Sequence, residues 1–167
     1  QILPYIDIPL QHAHPDVLRR MRRPSDMARV RRTLMTLRER LPGVALRTTF
    51  IVGFPGETEV EFETLLDFVR EVRFDRLGVF EYSHEPGTAA AAMEDDVPDD
   101  VKSERYAAVM MTQQAISREK NLQFVGKELS VLLEGVGDGV TVGRSYRDAP
   151  EIDGVVLIQE VLETHRL

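Results

Sequence analysis

The sequence predicts an α/β fold in which a parallel sheet is followed by a small all-β module. Three times along the first part, a short apolar or β-branched run precedes a helical stripe of apolar residues, in segments 2–41, 44–72 and 76–124. Repeated strand–helix units call for a parallel sheet with right-handed crossovers. Three such units cannot close a barrel, and the chain begins with Gln1 directly before a strand-like run. We therefore interpret the first part as the C-terminal half of a (β/α) barrel, cut from a longer protein.

The first unit consists of a strand and two helices. Residues 2–8, "ILPYIDI", form the predicted strand; Pro15 stands where a first helical turn begins, and Pro24 interrupts that helix. Ser25 is a good N-cap for a second helix, which Pro42-Gly43 ends. The apolar stripe of that helix, at spacings of three and four, comprises Met27, Val30, Leu34, Leu37 and Leu41.

The second and third units repeat this order. Residues 44–52 form a strand that ends in the turn "GFPGET", and Thr58 with Glu61 has the spacing of a capping box for the next helix. Residues 76–82 form the third strand, and Pro98 opens a long helix that ends near Phe124. The buried stripe of the second unit's helix is predicted to be Phe62, Leu65, Leu66, Val69 and Val72.

The pattern changes after Gly126 to short alternating strands separated by Gly-Asp-Gly, Ala-Pro and Asp-Gly. The stretch "EGVGDGVTVG" has the pattern of a β-hairpin. An OB-like barrel usually needs about five strands, whereas three or four fit here, so we expect an incomplete module. The predicted domains are residues 1–124 and residues 125–167.

Composition narrows the class of protein. No apolar run approaches the ~20 residues needed to span a bilayer, and the chain has no cysteine for a disulfide or a thiolate metal site. His12 and His14 have His-x-His spacing without a further His or Cys nearby, so no metal site is predicted. We expect a cytoplasmic protein that does not contact a membrane.

Charge is distributed unevenly along the chain. Segment 14–47 contains ten arginines and three acidic residues, whereas the whole chain has a net charge of −7. A basic segment on an acidic body indicates either contact with an anionic partner or a solvated arginine-rich helix.

The turn that begins at Gly53 raises the question of what approaches it. A P-loop needs a lysine directly before its Ser/Thr, and Glu57 occupies that place before Thr58, which excludes nucleoside triphosphate binding. A tight strand-to-helix turn accounts for Pro55 and Gly56. It does not account for Gly53, where a side chain would block the close approach of a ligand.

Strand alternation assigns polar residues to the face of the sheet away from the helices. Asp7, Gln11, Arg47 and Thr49 share that face with Ile51. Charge in such a place is costly unless it is paired. Asp7 and Arg47 therefore form either a structural ion pair or part of a site for a polar ligand that carries a carboxylate.

Four stretches resemble a known family. "YIDIPLQHAHPDVLRRMRR", "TTFIVGFPGETEVEF", "FEYSHEPGTAAA" and above all "VGRSYRDAPEIDG" look like the RimO branch of the radical S-adenosylmethionine methylthiotransferases. "GFPGET" marks the wider family, whereas "PLQH" and "RSYRDAPEIDG" favour RimO over the tRNA-modifying MiaB branch. The resemblance spans nearly the whole chain, and it implies a radical-SAM partial barrel followed by a small TRAM domain.

The resemblance also implies a cofactor site. The turn of Gly53, Phe54, Pro55, Gly56 and Glu57 would receive the adenosine of S-adenosylmethionine. The superfamily pattern Gly-x-Ile-x-Gly-x-x-Glu is met at Ile51 and Gly53, but Thr49 replaces its first glycine and Glu57 comes one place late.

Two further residues are assigned by the resemblance, and one is our own candidate. Gln11 would lie near the ribose or methionine end of S-adenosylmethionine, and Tyr82 near the adenine. Arg47 is our own candidate for binding the methionine carboxylate.

The resemblance implies chemistry that this chain cannot perform alone. RimO enzymes use two 4Fe-4S clusters, one held by a CxxxCxxC loop, to methylthiolate the β-carbon of an aspartate in ribosomal protein S-twelve. Since the chain has no cysteine, we expect it to hold neither cluster and to contain no catalytic residue or metal ligand of its own. The alternatives are a tRNA methylthiotransferase of the MiaB type, and a non-catalytic module that binds RNA or protein.

The expected partner follows from charge. Segment 126–167 has eight acidic and four basic residues, whereas nucleic-acid binders neutralise phosphates with Lys and Arg. A basic ribosomal protein is therefore the predicted partner rather than tRNA. The candidate substrate-docking residues are Arg144, Tyr146, Arg147, Asp148, Glu151 and Asp153.

Overall fold

The computed structural model of the chain describes residues 2–162. Six strands and four helices are present in that range, together with a short 3-10 turn at Ala90–Ala92. In chain order they are β1 (Tyr5–Asp7), α1 (Pro15–Arg20), α2 (Met27–Arg40), β2 (Ala45–Val52), α3 (Glu59–Val72), β3 (Arg76–Glu81), α4 (Asp99–Leu122), β4 (Val131–Gly137), β5 (Val140–Ser145) and β6 (Val156–Ile158).

The first three strands form a parallel sheet in the order β1-β2-β3. Its register places Arg47 of β2 between Asp7 of β1 and Arg76 of β3. This arrangement confirms the predicted α/β class with a parallel sheet. We refer to residues 2–124 below as the α/β part and to the remaining described residues as the β module.

The side chains of β2 alternate as predicted. Thr48, Phe50 and Val52 are fully buried on the helix side, whereas Arg47, Thr49 and Ile51 on the opposite face are half-buried. The core contains the rings of Phe50, Phe68 and Phe74, whose centroids lie 6.0–6.4 Å apart; Phe50 meets both other rings edge to face, and Phe68 and Phe74 are tilted against each other. The predicted stripe of α3 is buried throughout, and the Thr58–Glu61 capping box is present in both directions.

Two local predictions were wrong in detail. The first strand covers only Tyr5–Asp7 instead of residues 2–8, because Pro4 and Pro9 on either side lack an N–H for the ladder. The N-cap of α2 is Asp26 rather than Ser25, since the Asp26 carboxylate accepts the N–H of Arg29 at 2.9 Å.

The β module is an antiparallel sheet of three strands in the described range, in the order β4-β5-β6. The predicted hairpin is present: Asp138 and Gly139 connect β4 and β5 with φ of 51° and 80°. Positive φ at both central residues matches the right-handed twist of the two strands, which is why Asp-Gly suits this position.

Candidate functional site

A cleft opens at the carboxyl edge of the parallel sheet, where ligands bind in α/β folds. It encloses about 220 Å³ and is lined by Gln11, Met21, Ile51, Phe54, three arginines (Arg20, Arg22 and Arg23) and the segment 88–90. Gln11 extends β1 towards it: its N–H donates to the carbonyl of Thr49 at 2.9 Å, and its own carbonyl accepts from Ile51 at 2.8 Å. Gln11 adopts this position with φ of 70°, a left-handed conformation that is costly for a residue with a side chain.

The turn from Gly53 to Glu57 forms one wall of this cleft through Phe54. Gly53 has φ of 71°, and a β-carbon there would overlap the side chain of Lys102 from α4. The close approach inferred from the sequence is therefore made by the chain's own lysine. Lys102 is fixed in this place by Asp95 at 2.8 Å and Asp99 at 3.2 Å.

Glu57 lies beneath the turn and does not line the cleft. Its side chain is fully buried; one carboxylate oxygen accepts the N–H of Phe54 at 3.1 Å, and the other accepts from Arg105 at 3.2 Å. Burial raises the pKa of Glu57 to about 7, against the opposing effect of the Arg105 guanidinium. Glu57 thus supports the turn from the protein interior.

Tyr82 approaches the cleft from the end of β3. Its ring packs edge to face on Phe54, with centroids 5.2 Å apart, and the ammonium of Lys102 lies 5.8 Å from its centre. Its hydroxyl is buried without a hydrogen-bond partner among the described residues. The structure therefore brings Gln11, Phe54 and Tyr82, three of the predicted cofactor-binding residues, to one edge of the sheet.

Arg47 and Thr49 lie farther back along β2. Arg47 donates to Asp7 at 2.8 Å and to Thr49 at 3.3 Å, and its Nε is 3.5 Å from the Asp153 carboxylate. Ile51 of the cleft wall is four residues further on, roughly 13 Å at the rise of a strand. The ion pair that the sequence left open is thus present, and Arg47 is separated from the cleft.

Four of the six predicted docking residues contact the α/β part. Arg147 reaches Asp75 at 3.4 Å, Asp148 pairs with Arg76, Asp153 accepts from the Tyr5 hydroxyl at 2.7 Å, and the Tyr146 hydroxyl donates to the Gly43 carbonyl at 3.0 Å. Burial raises the pKa of Asp148, but the Arg76 guanidinium and hydrogen bonds from Ser145 together lower it further and hold it below its usual value.

The other two predicted docking residues do not make such contacts. Arg144 pairs with Glu134 inside the β module at 2.6 Å, and Glu151 is exposed. The sequence could not show which of the six docking residues contact the α/β part, because the pattern "RSYRDAPEIDG" contains no signal of which side chains turn towards it.

Several arginines of the basic segment bind α3. Arg20 of α1 donates to Glu61 at 2.8 Å and to the carbonyl of Gly56 at 3.1 Å, Arg31 pairs with Glu71 at 2.9 Å, and Arg38 donates to the Val72 and Arg73 carbonyls. These arginines connect α1 and α2 to α3. The sequence analysis had considered only solvation or an anionic partner for the basic segment.

His12 is a buried residue of the site region that sequence reasoning missed. It is fully buried, its Nδ1 accepts the N–H of His14 at 2.9 Å, and its Nε2 lies 3.7 Å from the Glu57 carboxylate. Burial lowers the pKa of His12 to about 3. The position of His12 directly after Gln11 at the end of a strand was the available signal, but the sequence analysis considered His12 only as a metal ligand.

The nearby group of His14, Asp16 and Glu61 has ligand atoms within 4.8 Å of one another. The Glu61 carboxylate is already occupied by Arg20 and by the N–H of Thr58 at 2.8 Å, and we assign no metal to this group. In the range 2–162, no helix is long and apolar enough to cross a membrane.

Comparison with known proteins shows which proteins the chain is similar to. The radical SAM superfamily matches residues 2–69, and the TRAM domain matches residues 125–165. A protein of Roseiflexus sp. named ribosomal protein uS12 methylthiotransferase RimO is 56% identical over 162 residues, 94% of this chain. Over nearly its whole length, the chain is similar to part of a RimO protein. Proteins of the same name from Thermus thermophilus and Burkholderia multivorans are 51% and 49% identical, each over 95% of this chain.

The chain spans about a third of the length of these relatives, between 34% and 37%. Among solved structures, the radical SAM enzyme coproporphyrinogen III oxidase (HemN) from Escherichia coli matches 78% of this chain and 28% of its own, with a TM-score of 0.52. At 22% identity this likeness shows the fold alone.

The match to the radical SAM superfamily implies S-adenosylmethionine and a 4Fe-4S cluster as cofactors. The RimO-like chain contains no cysteine, so none of its residues offers the thiolate that an iron–sulfur cluster requires.

Proposed function

We propose that this chain is part of a methylthiotransferase that modifies the β-carbon of an aspartate in ribosomal protein uS12. The observation that carries the proposal is the identity of 56% over 94% of the chain to a RimO protein, which extends through both the α/β part and the β module. A ribosomal protein substrate places this reaction in the cytoplasm. The proposed boundary between the radical-SAM part and the TRAM domain lies between residues 124 and 125.

The cleft at the carboxyl edge is our proposed contact with S-adenosylmethionine. Ile51 and Phe54 supply apolar surface for an adenine ring, Gln11 supplies an amide for polar groups, and the buried Tyr82 hydroxyl has a free hydrogen-bonding capacity among the described residues. S-adenosylmethionine supplies the reactive sulfonium carbon in such enzymes. In this chain Gln11 and Phe54 bind and orient it, while the tight turn excludes water behind the ring.

The residues present do not fit an iron–sulfur cluster. We propose that the two 4Fe-4S clusters of the family are held by cysteines of the parent protein outside these 167 residues. No step of the chemistry is assigned to a residue of this chain.

The net negative charge of segment 126–167 favours a basic protein as the substrate over tRNA. Arg144 and Glu151 stay candidates for docking, because they do not contact the α/β part. Arg147, Asp148 and Asp153 would have to leave their partners before they could bind a substrate.

A chimera tests this proposal. The matching segment of the Roseiflexus relative is replaced by this chain, and the purified enzyme is offered uS12 and tRNA separately, with mass spectrometry of the peptides and nucleosides. We expect methylthiolation of uS12 alone. Modification of tRNA instead would assign the chain to the MiaB type, and binding of either partner without turnover by an intact chimera would favour the non-catalytic module.

Two variants of the chimera form a matched pair. Ile51→Asp puts a charge on the cleft wall, whereas Val60→Asp puts the same charge on an exposed position of α3. Only the first is expected to weaken S-adenosylmethionine binding.

A further inference from the structure

A buried pair of side chains connects the two walls of the cleft. Gln11 forms one wall of the cleft, and His12 is the next residue in the chain. Phe54 forms the other wall, and Glu57 is the last residue of the same turn. Both side chains are fully buried, and His12 Nε2 lies 3.7 Å from Glu57 Oε2. That same oxygen accepts the N–H of Phe54 at 3.1 Å, so the contact joins the backbone of the two walls through two side chains.

The hydrogen bonds of His12 determine where its proton lies. Nδ1 accepts the N–H of His14 at 2.9 Å, so it must carry a lone pair. A neutral imidazole then carries its proton on Nε2. Nε2 has no hydrogen-bond partner among the described residues, and a buried N–H without a partner is costly. The acceptor it faces is the Glu57 carboxylate.

We propose that His12 is a positioning residue for the ligand cleft: its Nε2–H binds the Glu57 carboxylate and thereby holds Gln11 and the Phe54 turn at a fixed separation. A movement of under about 1 Å would bring the pair within hydrogen-bond distance. The left-handed backbone of Gln11 is costly for a residue with a side chain, and a contact that fixes the neighbouring His12 helps to hold it in place together with the backbone bonds to β2. The inference rests on the proposed function only where it names S-adenosylmethionine as the ligand.

The surroundings keep His12 neutral, and the Glu57 carboxylate lies 3.7 Å from its Nε2. Burial has the largest effect on the pKa of His12 and lowers it, Glu61 opposes that effect, and His14, Arg20 and Arg105 add to it. Glu57 faces Arg105 on its other oxygen, with Glu61 as the like charge nearby. Since the pKa of Glu57 is raised to about 7, the acceptor of the proposed bond changes its charge near neutral pH.

The first test needs no ligand. The full chain is labelled with ¹⁵N-histidine, and long-range ¹H–¹⁵N spectra are recorded between pH 5 and pH 8.5. We expect His12 to stay neutral with its proton on Nε2, and its Nε2 resonance to shift near pH 7 as Glu57 titrates. That shift should be absent in Glu57→Gln. A proton on Nδ1, or a resonance that does not respond to Glu57, would overturn the proposal.

The second test measures the cleft. S-adenosylmethionine affinity is compared by calorimetry for the full chain and for His12→Leu, His12→Gln and the surface control Gln114→Leu. Loss of a hydrogen bond to a charged group should weaken binding about tenfold or more in His12→Leu. His12→Gln keeps an N–H donor and should restore most of the affinity.

Equal affinities of folded His12→Leu and parent chain would contradict the positioning role. If the parent chain itself binds no S-adenosylmethionine, the proposed cleft ligand is wrong, and the spectra of the parent chain still decide whether His12 binds Glu57. The two failures are therefore distinguishable.

Discussion

The hydroxyl of Tyr5, at the start of β1, donates a 2.7 Å hydrogen bond to the carboxylate of Asp153 in the β module, 148 positions later in the chain. The same carboxylate accepts the N–H of Ala149 at 2.9 Å and lies 3.5 Å from Arg47 Nε. Burial and the neighbouring carboxylate raise the pKa of Tyr5, so its hydroxyl keeps its proton as a donor. One acidic residue of the β module thus holds two strands of the parallel sheet.

Tyr5→Phe should lower the free energy of unfolding by about 1.5–3 kcal/mol, the range for a hydrogen bond to a charged group. Guanidinium unfolding of the full chain measures this change. Tyr106→Phe on the exposed side of α4 is the matched control and should change stability little. Equal stabilities of the two variants would mean that the Tyr5–Asp153 contact contributes nothing.

Arg47→Ala should destabilise the chain without weakening S-adenosylmethionine binding. Its removal leaves the Asp153 carboxylate, only 4% exposed, without its nearest positive charge. Thermal unfolding and calorimetry separate the two effects, with the exposed Arg40→Ala as control. A loss of affinity by roughly 2–5 kcal/mol with stability unchanged would instead make Arg47 the ligand of the methionine carboxylate.

Gly53→Ala should cost more stability than Gly87→Ala, although both glycines have positive φ, of 71° and 85°. A residue with a side chain pays roughly 1–2 kcal/mol for a left-handed backbone, and this cost is common to both positions. Only at Gly53 does the added β-carbon meet Lys102, whereas nothing lies within 4 Å of a β-carbon at Gly87. Overpacking adds about 1–3 kcal/mol. A Lys102→Ala background removes Cγ, the nearest atom, but keeps Cβ at 3.2 Å, so the cost of Gly53→Ala should fall towards that of Gly87→Ala without reaching it; an unchanged cost would contradict the overlap.

The stability of the chain should depend on Glu57 between about pH 4.5 and pH 7. The folded pKa is raised from 4.5 to about 7, so the stabilising contribution is fully present below pH 4.5 and is lost as the pH rises through 7. The unfolding free energy of the parent relative to Glu57→Gln should therefore fall across this interval and become flat above it. Glu63→Gln, at an exposed position, serves as control. If the unfolding free energy of the parent relative to Glu57→Gln rose with pH instead, the folded pKa of Glu57 would be lowered rather than raised.

Anaerobic reconstitution of the chain with iron and sulfide should yield no stable cluster, because the chain offers no thiolate. The absorbance and iron content after desalting measure this outcome. The full-length Thermus thermophilus relative, treated in the same way, is the positive control. Stoichiometric iron in the 167-residue chain would show that other side chains can hold a cluster here.

Local patterns predicted much of the α/β part. The capping box at Thr58, the stripe of α3 and the inward alternation of β2 depend on spacings within a few residues, which the sequence displays directly. The hairpin turn at Asp138-Gly139 is also local, because positive φ is a property of the two turn residues themselves.

The sequence by itself determined the fold class, the family resemblance and the strand ends where Gln11, Phe54 and Tyr82 would meet. Only the tertiary structure decided that Lys102 fills the space beside Gly53, that Glu57 lies beneath its turn opposite His12, and that Asp153 pairs with Arg47. The members of each pair are 45 to 106 residues apart in the sequence, and their contacts depend on how helices and the β module pack against the sheet. No periodicity or spacing along the chain encodes such distances, so the partner of each buried charge could be found only in three dimensions.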